Sequence, residues 1–533
     1  MKKLFKTSFL LSLIFCLSTL NTGAQTATLK WGQIYKDNNL DYYNKYSNYF
    51  GHNSDGYYRT TFVKVGGFFG SKEELVQKFN NKHEITASHV ILYTNGSEKL
   101  KPVNSQANVF VNGKLNYIAY KYNSASKTAK LYKRTLSDDL SEISEWEEFD
   151  NLVDVDESDI KEIKLVQSDD RTKFSYYLKN ASSIKLKNES ITCSIYDKNF
   201  GKLESKRIEL KDKDKYYMLN STLTNEGQFV FMIYNDLKFS EKVKDDAKYK
   251  YILYLFDSKT NTLSDFDINL KKHYISKAEY FIDNEKKKII VAAFYKSDKV
   301  TNFITFESMG SYVGYIYKQI DINTKKLEKD LVKKFDANVI YLHPENLKSG
   351  EEPSLLSNEK IMSLGKWENG NIYMLCEGSS YSSESRTYGD KTSYYDHSSF
   401  YQICIMTFDQ DGNMIKSSLV QKQQIDKGDQ LTSYLSGKVN NKLIFVFYDS
   451  EKNYGKKGYI GEAMPAYGDA IVGVVTCDSD GNITNRKVIY RMNKSDKKSP
   501  YMDVKNAIKI NDNKYFIPCI IKNNYQYGFL TFE

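Results

Sequence analysis

Eight short turns in this chain each separate two runs in which apolar and polar residues alternate. Alternation with a period of two is typical of a β-strand, and Asn, Asp or Gly between two such runs predicts a hairpin. One residue from each turn, in order, is Asp55, Gly113, Asp170, Glu226, Asn284, Gly370, Asn441 and Asp512. These positions are 58, 57, 56, 58, 86, 71 and 71 residues apart. The spacing indicates a structural repeat that carries insertions in its second half.

A second, Asp-rich hairpin signal falls between consecutive turns of the first kind. Each repeat therefore contains four strands, A to D, with tight turns between A and B and between C and D. Repeated four-stranded units of this size predict an all-β fold, a β-propeller. Eight blades are preferred, and seven are the alternative because the first copy is irregular. The second turns lie at Asn95–Gly96, Asp138–Asp139, Asp197–Gly201, Asp257–Asn261, Asp321–Thr324, Asp409–Asn413 and Asp478–Asn482.

The two ends of the chain supply complementary parts of one blade. The last repeat, Ile508–Phe532, provides strands A, B and C, and a lone strand at Thr28–Lys36 provides a candidate for D. Pairing these two segments would close the ring and remove the exposed edges of an open array. We therefore predict that the N-terminal strand completes the C-terminal blade.

The first residues have the pattern of a secretory signal peptide. Lys2, Lys3 and Lys6 precede an apolar run, Phe9–Leu20, which is too short to span a membrane, and a small-residue cleavage site follows. A capping-box pattern that begins at Ser71 also predicts a short helix. The predicted organisation is a signal peptide at 1–24 and one propeller domain at 25–533, comprising a closing strand at 28–36, an irregular first blade with the inserted helix at 37–105, and regular blades at 106–533.

Several classes of function leave no signal in the sequence. The net charge is +9, but both signs are interspersed without a basic stripe, so we expect no nucleic-acid partner. No zinc-protease, nucleophile-elbow or phosphate-loop motif occurs. In the Asp-rich turns Gly412 and Gly481 come fourth, where a hairpin needs glycine, whereas a Ca²⁺ loop needs it sixth. We therefore expect no metal, no cofactor and no catalytic residue that the sequence alone identifies.

Five cysteines follow the leader, and all of them fall in predicted strands, where they are expected to be buried. Cys376 and Cys404 are on strands expected to be neighbours, so one disulfide between them is left open. The five are Cys193, Cys376, Cys404, Cys477 and Cys519.

The long insertions of blades five to seven are expected on one sector of one face, where the B–C loops and the D-to-A connections lie. Their Tyr, Ser and Gly content is typical of adaptable binding surfaces. The main hypothesis is an exported, monomeric, non-catalytic protein that binds a protein or a glycan through this Tyr/Ser-rich loop crown. The predicted binding residues are Tyr381, Arg386, Tyr388, Tyr394, Tyr395, His397, His343, Tyr454, Tyr459 and Tyr467.

Two alternatives remain open. The first is a glycan hydrolase or lyase with carboxylates near the propeller axis, since glycoside hydrolysis needs two positioned carboxyl groups. Its candidate acids open the A strands: Glu162, Glu279, Glu359 and Asp503. The second alternative is an envelope scaffold without a ligand.

The leader and the repeated hairpins together resemble the secreted β-propeller proteins of Gram-negative bacteria with AT-rich genomes. The resemblance is one of pattern over nearly the whole chain after the leader. It implies the periplasm or the outer surface of such a bacterium as the location. The Trp-Asp repeat ending, the Gly-Gly doublet of kelch repeats and the Asp-box of sialidases are absent from the sequence, so the resemblance implies no site residues.

Overall fold

The computed structural model describes the chain from Ala27 onward, with gaps. The described residues are 27–36, 48–53, 56–65, 71–103, 107–141, 143–180, 189–210, 216–236, 249–270, 273, 275, 278–296, 312–336, 359–388, 391–426, 431–454, 462–464, 470–491, 501–511, 513–521 and 524–533. The predicted signal peptide lies outside them.

The described strands form eight antiparallel blades arranged as a β-propeller, which confirms the predicted architecture and its preferred blade count. Blades 1 to 4 follow two short N-terminal strands. The strands are β1 (Ala27–Trp31) and β2 (Tyr35–Lys36); in blade 1, β3 (Asn48–Asn53), β4 (Gly56–Val65), β5 (Ser71–Asn80) and β6 (Ile85–Ile91); in a small connection, β7 (Thr94–Asn95), β8 (Glu98–Lys99) and β9 (Lys101–Pro102); in blade 2, β10 (Val109–Val111), β11 (Lys114–Asn123), β12 (Thr128–Leu136) and β13 (Glu147–Val153); in blade 3, β14 (Lys164–Gln167), β15 (Lys173–Asn180), β16 (Ser190–Asp197) and β17 (Lys202–Glu209); and in blade 4, β18 (Tyr216–Leu223), β19 (Gln228–Asp236), β20 (Tyr249–Asp257) and β21 (Thr262–Asp267).

Blades 5 to 8 complete the ring, and two short helical segments lie between strands. A helix, α1 (Glu157–Lys161), precedes blade 3, and a 3-10 helix (Glu451–Tyr454) follows the second strand of blade 7. The remaining strands are, in blade 5, β22 (Glu279–Asp283), β23 (Lys288–Lys296), β24 (Tyr312–Asp321) and β25 (Lys326–Lys334); in blade 6, β26 (Glu359–Lys366), β27 (Ile372–Tyr388), β28 (Lys391–Phe408), β29 (Met414–Val420) and β30 (Gln424–Asp426); in blade 7, β31 (Leu435–Val439), β32 (Lys442–Asp449), β33 (Ile471–Asp478) and β34 (Ile483–Arg491); and in blade 8, β35 (Tyr501–Met502), β36 (Ile508–Asn511), β37 (Lys514–Ile521) and β38 (Asn524–Phe532).

The core lies between neighbouring blades. The two middle strands of each blade are covered on both faces, so they are apolar in continuous runs, as in β23, where eight of the nine residues are buried. One cluster joins Val230 and Leu253 of blade 4 to Val291 and Ile316 of blade 5. The outer strand β25 alternates between half-buried and exposed residues because only one of its faces packs on a neighbour. The apolar runs therefore specify the B and C strands, and the alternating runs specify the outer strands.

The ring is closed by strands from both ends of the chain. β1 pairs antiparallel with β38, with Ala27 opposite Phe532 and Trp31 opposite Gly528. β2 continues the contact by pairing Tyr35 with Tyr525. The predicted closure is confirmed, and blade 8 takes its outer strand from the N-terminal segment.

Two expectations for blade 1 are wrong. The segment predicted as a helix from Ser71 is β5, which pairs with β4 on one side and β6 on the other. The local capping signal is overridden because pairing on both edges and burial of Val76 and Phe79 outweigh helix propensity. The Asn95–Gly96 turn belongs to the small β7–β8 hairpin, and the C–D turn of this blade lies between Asn80 and Ile85.

The Asp-rich C–D turns are built around their first carboxylate. Asp197 accepts backbone N–H groups of Asn199 and Gly201, both at 2.8 Å. Asp409 accepts those of Asp411 and Asn413 at 2.9 and 2.8 Å. The fourth position takes a left-handed conformation, with φ of 84° at Gly412 and 68° at Phe200, and glycine adopts this conformation at the least cost. These contacts support the interpretation of the Asp-x-Asp pattern as a turn.

All five cysteines are buried and free. Cys376 and Cys404 are direct cross-strand partners in blade 6, as the expected neighbouring strands require, and they are not bridged. Within the part of the chain that the structure describes, no helix is long and apolar enough to cross a membrane.

Candidate functional site

The blade 6 insertion is a β-hairpin, which corrects the expectation of a loop there. β27 and β28 extend beyond the usual strand length and stay paired as far as Tyr388 and Lys391. The two residues between these strands, Gly389-Asp390, are a hairpin signal that the sequence already contained. The predicted binding residues on these strands are Tyr381, Arg386, Tyr388, Tyr394, Tyr395 and His397.

Tyr381 is the member of this set whose side chain is described. It is 62% exposed, lies edge-on to Phe400 with ring centroids 6.3 Å apart, and has the Lys360 ammonium 5.4 Å from its ring. Tyr381 therefore presents an aromatic surface near the base of the hairpin.

Tyr454 is the other predicted residue whose side chain is described, and it does not join this surface. Tyr454 lies in the 3-10 helix, where its hydroxyl fills the space left by Gly473 and the Arg486 guanidinium lies 5.3 Å from its ring. Burial raises the pKa of the Tyr454 hydroxyl, so this side chain is part of the packing of blade 7. His343, Tyr459 and Tyr467 lie outside the described residues.

A buried ion pair anchors the base of the hairpin. The Lys422 ammonium lies 2.6 Å from a Glu377 carboxylate oxygen, and the two side chains are 0% and 1% exposed. Ser433 donates to the other Glu377 oxygen at 2.6 Å, and Lys422 donates to the Gln424 side chain at 2.9 Å. Gln424 in turn donates to the Tyr448 carbonyl at 2.9 Å. This network joins blade 6, the connection to blade 7, and blade 7 itself.

The insertions of blades 6 and 7 do meet, as expected for one crowded sector. β30 pairs with Ser398–Phe400 of the long hairpin. On its other side, Ile425 donates its N–H to the Ala463 carbonyl at 3.0 Å, and Ala463 lies within the blade 7 insertion. The hairpin base is thus held by backbone pairing on both sides of β30.

A separate cavity of about 470 Å³ opens between blades 3 and 4. It is formed by α1, the first residues of β14 and β18, and the end of β15, all at the face that carries the B–C loops. Its volume is in the range of small-molecule sites. The lining residues are Ser158, Asp159, Glu162, Lys164, Tyr177, Lys179, Ile191, Leu210, Tyr216, Tyr217, Met218 and Ile233.

The floor of this cavity is apolar. Ile191, Leu210 and Ile233 are each no more than 1% exposed. Tyr217 forms part of the wall; it is 39% exposed and is held by stacking on Tyr234, with ring centroids 5.1 Å apart. The cavity therefore offers apolar and aromatic surface below a more polar rim.

The Lys179 ammonium on the cavity wall already has an ion-pair partner. The Lys179 ammonium lies 2.7 Å from Glu189, donates to the Tyr216 carbonyl, and lies 5.9 Å from the Tyr217 ring. Glu189 also accepts the Tyr216 backbone N–H at 2.8 Å. This arrangement fixes the start of β18 against the end of β15.

The rim, in contrast, carries polar groups with spare bonding capacity. Among the described residues, the exposed side chains of Ser158, Glu162 and Lys164 have no hydrogen-bond or ion-pair partner. The neighbouring acidic residues are each occupied by a different cation: Asp154 by Arg207, Asp156 by Lys127 and Glu157 by Lys101. Ser158, Glu162 and Lys164 are therefore available to contact a ligand at this cavity.

The sequence did not indicate this cavity as a site, although Glu162 was among the candidate acids. The available signal was Asp156 as an N-cap, followed by acidic residues in the first turn and Lys161 in the last turn of α1. The joining of this helix to β18, which is about 60 residues away in sequence, is a tertiary contact that no local pattern encodes.

The axial carboxylates expected for a hydrolase are differently placed. Glu279 accepts the Asn220 side-chain amide at 2.8 Å, and buried Asp503 accepts the backbone N–H of Asn506 at 3.0 Å. The Glu359 side chain lies outside the described part. Of the described candidate acids, Glu162 lines the cavity. Across the described innermost strands, the exposed charged residues are lysines: Lys164, Lys360 and Lys509. The described side chains of these strands therefore include no pair of exposed acids.

Within the described residues, no group of three or more His, Cys, Asp or Glu side chains could hold a metal ion. The lining of the cavity combines aromatic, apolar, acidic and basic groups.

No protein-family model matches the chain, and no curated protein matches it in sequence. Solved structures with a similar fold include the polysaccharide lyase Uly1, with 10% identity, a TM-score of 0.36 and coverage of 94% of this chain and 99% of that one. They also include the GH93 alpha-L-arabinofuranosidase of Fusarium graminearum, with 11% identity, a TM-score of 0.31 and coverage of 69% and 92%. The β-propeller domain of the Trilobed protease from Pyrococcus furiosus has 10% identity, a TM-score of 0.26 and coverage of 74% and 97%. TM-scores this low carry no information about the ligand or chemistry of this chain.

Proposed function

We propose that the protein is an exported β-propeller that binds a glycan in the cavity between blades 3 and 4. The observation that carries this proposal is the combination, in one cavity, of the fixed Tyr217 ring with the unpaired rim groups Ser158, Glu162 and Lys164. Aromatic rings accept the apolar face of a sugar, and carboxylate, ammonium and hydroxyl groups bond its hydroxyls. Export is proposed from the leader sequence alone.

The test compares one exposed tyrosine from each of the two candidate surfaces. The purified protein is screened against an array of plant, algal and bacterial polysaccharides, and each hit is titrated by calorimetry. We expect Tyr217→Ala to weaken binding at least tenfold, and Tyr381→Ala, on the blade 6 hairpin, to leave it unchanged. Melting temperatures of both variants control for folding.

The converse result favours the binding surface predicted from sequence. If Tyr381→Ala abolishes capture while Tyr217→Ala does not, the ligand contacts the hairpin and the cavity proposal fails. If the wild-type protein captures no glycan from the array, glycan binding itself is refuted for the classes tested.

Glycoside cleavage in the same cavity is a second candidate. The favouring observation is that two carboxyl groups, Asp159 and Glu162, line it, and glycosidases use such a pair. Release of reducing ends from a bound glycan, lost in Glu162→Gln with binding retained, would support cleavage. Binding of the glycan without any release of product would leave the protein as a non-catalytic binder.

A further inference from the structure

The floor of the cavity between blades 3 and 4 offers no side-chain hydrogen-bond partner to a sugar hydroxyl, because its three residues are aliphatic. Ile191, Leu210 and Ile233 present only hydrocarbon there, and each is essentially fully buried. A hydroxyl placed on this floor would lose its hydrogen bonds to water and gain none, which is unfavourable. A ligand group that reaches the floor must therefore be apolar at its tip.

One polar group does lie beside this apolar floor. Tyr177 is a lining residue of the cavity and is 8% exposed, and its hydroxyl accepts a hydrogen bond from Ser221 at 2.9 Å. Among the described groups, no acceptor receives the proton of Tyr177 itself. Burial raises the pKa of this phenol, so it remains a donor at neutral pH.

An apolar tip next to a single hydrogen-bond acceptor is the pattern of an acetyl group. We propose that the cavity selects a glycan bearing acetyl substituents, with the methyl group on Ile191, Leu210 and Ile233 and the carbonyl oxygen accepting from Tyr177. The proposal rests on the proposed glycan-binding function and names the substrate class for that site. A 6-deoxy sugar shares the methyl group but lacks the carbonyl acceptor, so the two sources can be separated.

The experiment uses matched pairs of ligands and the whole protein. Acetylated xylan is compared with the same xylan after alkaline deacetylation, and N-acetylated chito-oligosaccharide with its de-N-acetylated form. A fucose-rich polysaccharide provides the 6-deoxy control. We expect binding of at least one acetylated member and at least tenfold weaker binding of its deacetylated partner.

Two substitutions on the same strand identify the donor. Tyr177→Phe removes the hydroxyl with little change in volume and should weaken acetylated-ligand binding about three- to tenfold, the loss expected for one hydrogen bond. Tyr176→Phe is the matched control, because Tyr176 packs in the core between blades 2 and 3 and does not line the cavity. It should leave binding unchanged.

The outcomes separate the two proposals. Equal binding of acetylated and deacetylated ligands, or binding of the 6-deoxy polymer alone, overturns the acetyl proposal and leaves glycan binding intact. An unchanged affinity in Tyr177→Phe overturns the assigned donor. Failure to bind any ligand of the panel overturns the acetyl proposal together with the glycan-binding function.

Discussion

Neighbouring blades are joined by different contacts on the two faces of the propeller. On the face with the A–B and C–D turns, half-buried lysines reach the following blade: Lys206 donates to the Asn261 carbonyl at 2.9 Å, and Lys416 to Asn482 at 3.2 Å. On the opposite face, blades 6 and 7 are joined through the buried Glu377–Lys422 pair. The first device recurs along the chain, whereas the second occurs where the repeat is interrupted.

This difference between the two faces separates the regular part of the repeat from the part that carries insertions. On the turn face, the first carboxylate of several C–D turns bonds its own backbone, and several lysines bond neighbouring turns. The loop face holds the cavity whose rim groups are unpaired. Repeated contacts therefore characterise the turn face, and the loop face holds the cavity proposed to bind.

Removing one partner of the buried pair should give the largest loss of stability. Lys422→Met leaves Glu377 charged, desolvated and without its cation, which we expect to lower the free energy of unfolding by about 3–5 kcal/mol. Urea denaturation measures the loss. The double variant Lys422→Met/Glu377→Gln should recover part of it, because it also removes the stranded charge.

The matched control is on the turn face. Lys329 pairs with Asp411, whose side chain is 80% exposed. Lys329→Met should leave the unfolding midpoint unchanged within error. A comparable loss in both single variants would show that burial does not distinguish the two faces.

Acid should destabilise the contact between blade 1 and blade 8, where His83 is buried. His83 lies in the C–D turn of blade 1, with its ring 4.7 Å from that of Phe529 in blade 8 and its Nδ1 2.9 Å from the Tyr57 hydroxyl. Burial, assisted by the Lys514 charge, lowers the pKa of His83 from 6.5 to about 4. Below pH 6.5 His83 takes up a proton in the unfolded chain, whereas in the folded chain it stays neutral until the pH approaches 4. The free energy of unfolding therefore falls by roughly 2–3 kcal/mol as the pH drops from 6.5 to 4.

The pH slope of unfolding, measured between pH 7 and 4, tests this contribution. His83→Asn keeps a residue that tolerates the left-handed conformation of φ 64° and should flatten the slope, whatever it does to stability at pH 7. An undiminished slope in that variant would assign the acid sensitivity to other groups.

The sequence predicted the repeating part of the molecule well and the irregular part less well. The turn chemistry at Asp197 or Asp409 is local, so it identified four-stranded blades and their count, and the terminal strands identified the closure. β5 was mistaken for a helix because its strand pairing depends on distant partners. The cavity could not be predicted, since α1, Tyr177 and Tyr217 meet only through the stacking of blades 3 and 4.

Glu74 is expected to make the free energy of unfolding depend on pH by a smaller amount than His83 does, and in the opposite direction. This carboxyl at the start of β5 is buried, and desolvation raises its pKa to about 6, although Tyr93 donates to it at 2.5 Å. The folded state therefore holds a proton between pH 4.5 and 6 that the unfolded state has released, and stability declines as pH rises through that window. The cost at pH 7 is about 2 kcal/mol.

Glu74→Gln should remove this cost, because the amide oxygen can still accept from Tyr93 while no charge is buried. We expect the variant to be up to about 2 kcal/mol more stable than the wild type at pH 7 and equal to it at pH 4. Thermal unfolding at the two pH values gives the comparison. Destabilisation at both would mean that the carboxyl is held by contacts an amide cannot replace.

The finest test sets one carboxylate from each face against the other. Asp478 accepts the backbone N–H of Asn482 at 2.8 Å inside its turn, whereas Glu162 at the cavity rim has no partner among the described residues. Asp478→Ala should cost about 1 kcal/mol of stability and leave ligand binding unchanged. Glu162→Gln should leave the unfolding curve unchanged and alter only ligand binding or turnover. If the two variants exchanged these effects, the contrast between turns that stabilise and a rim that binds would be lost.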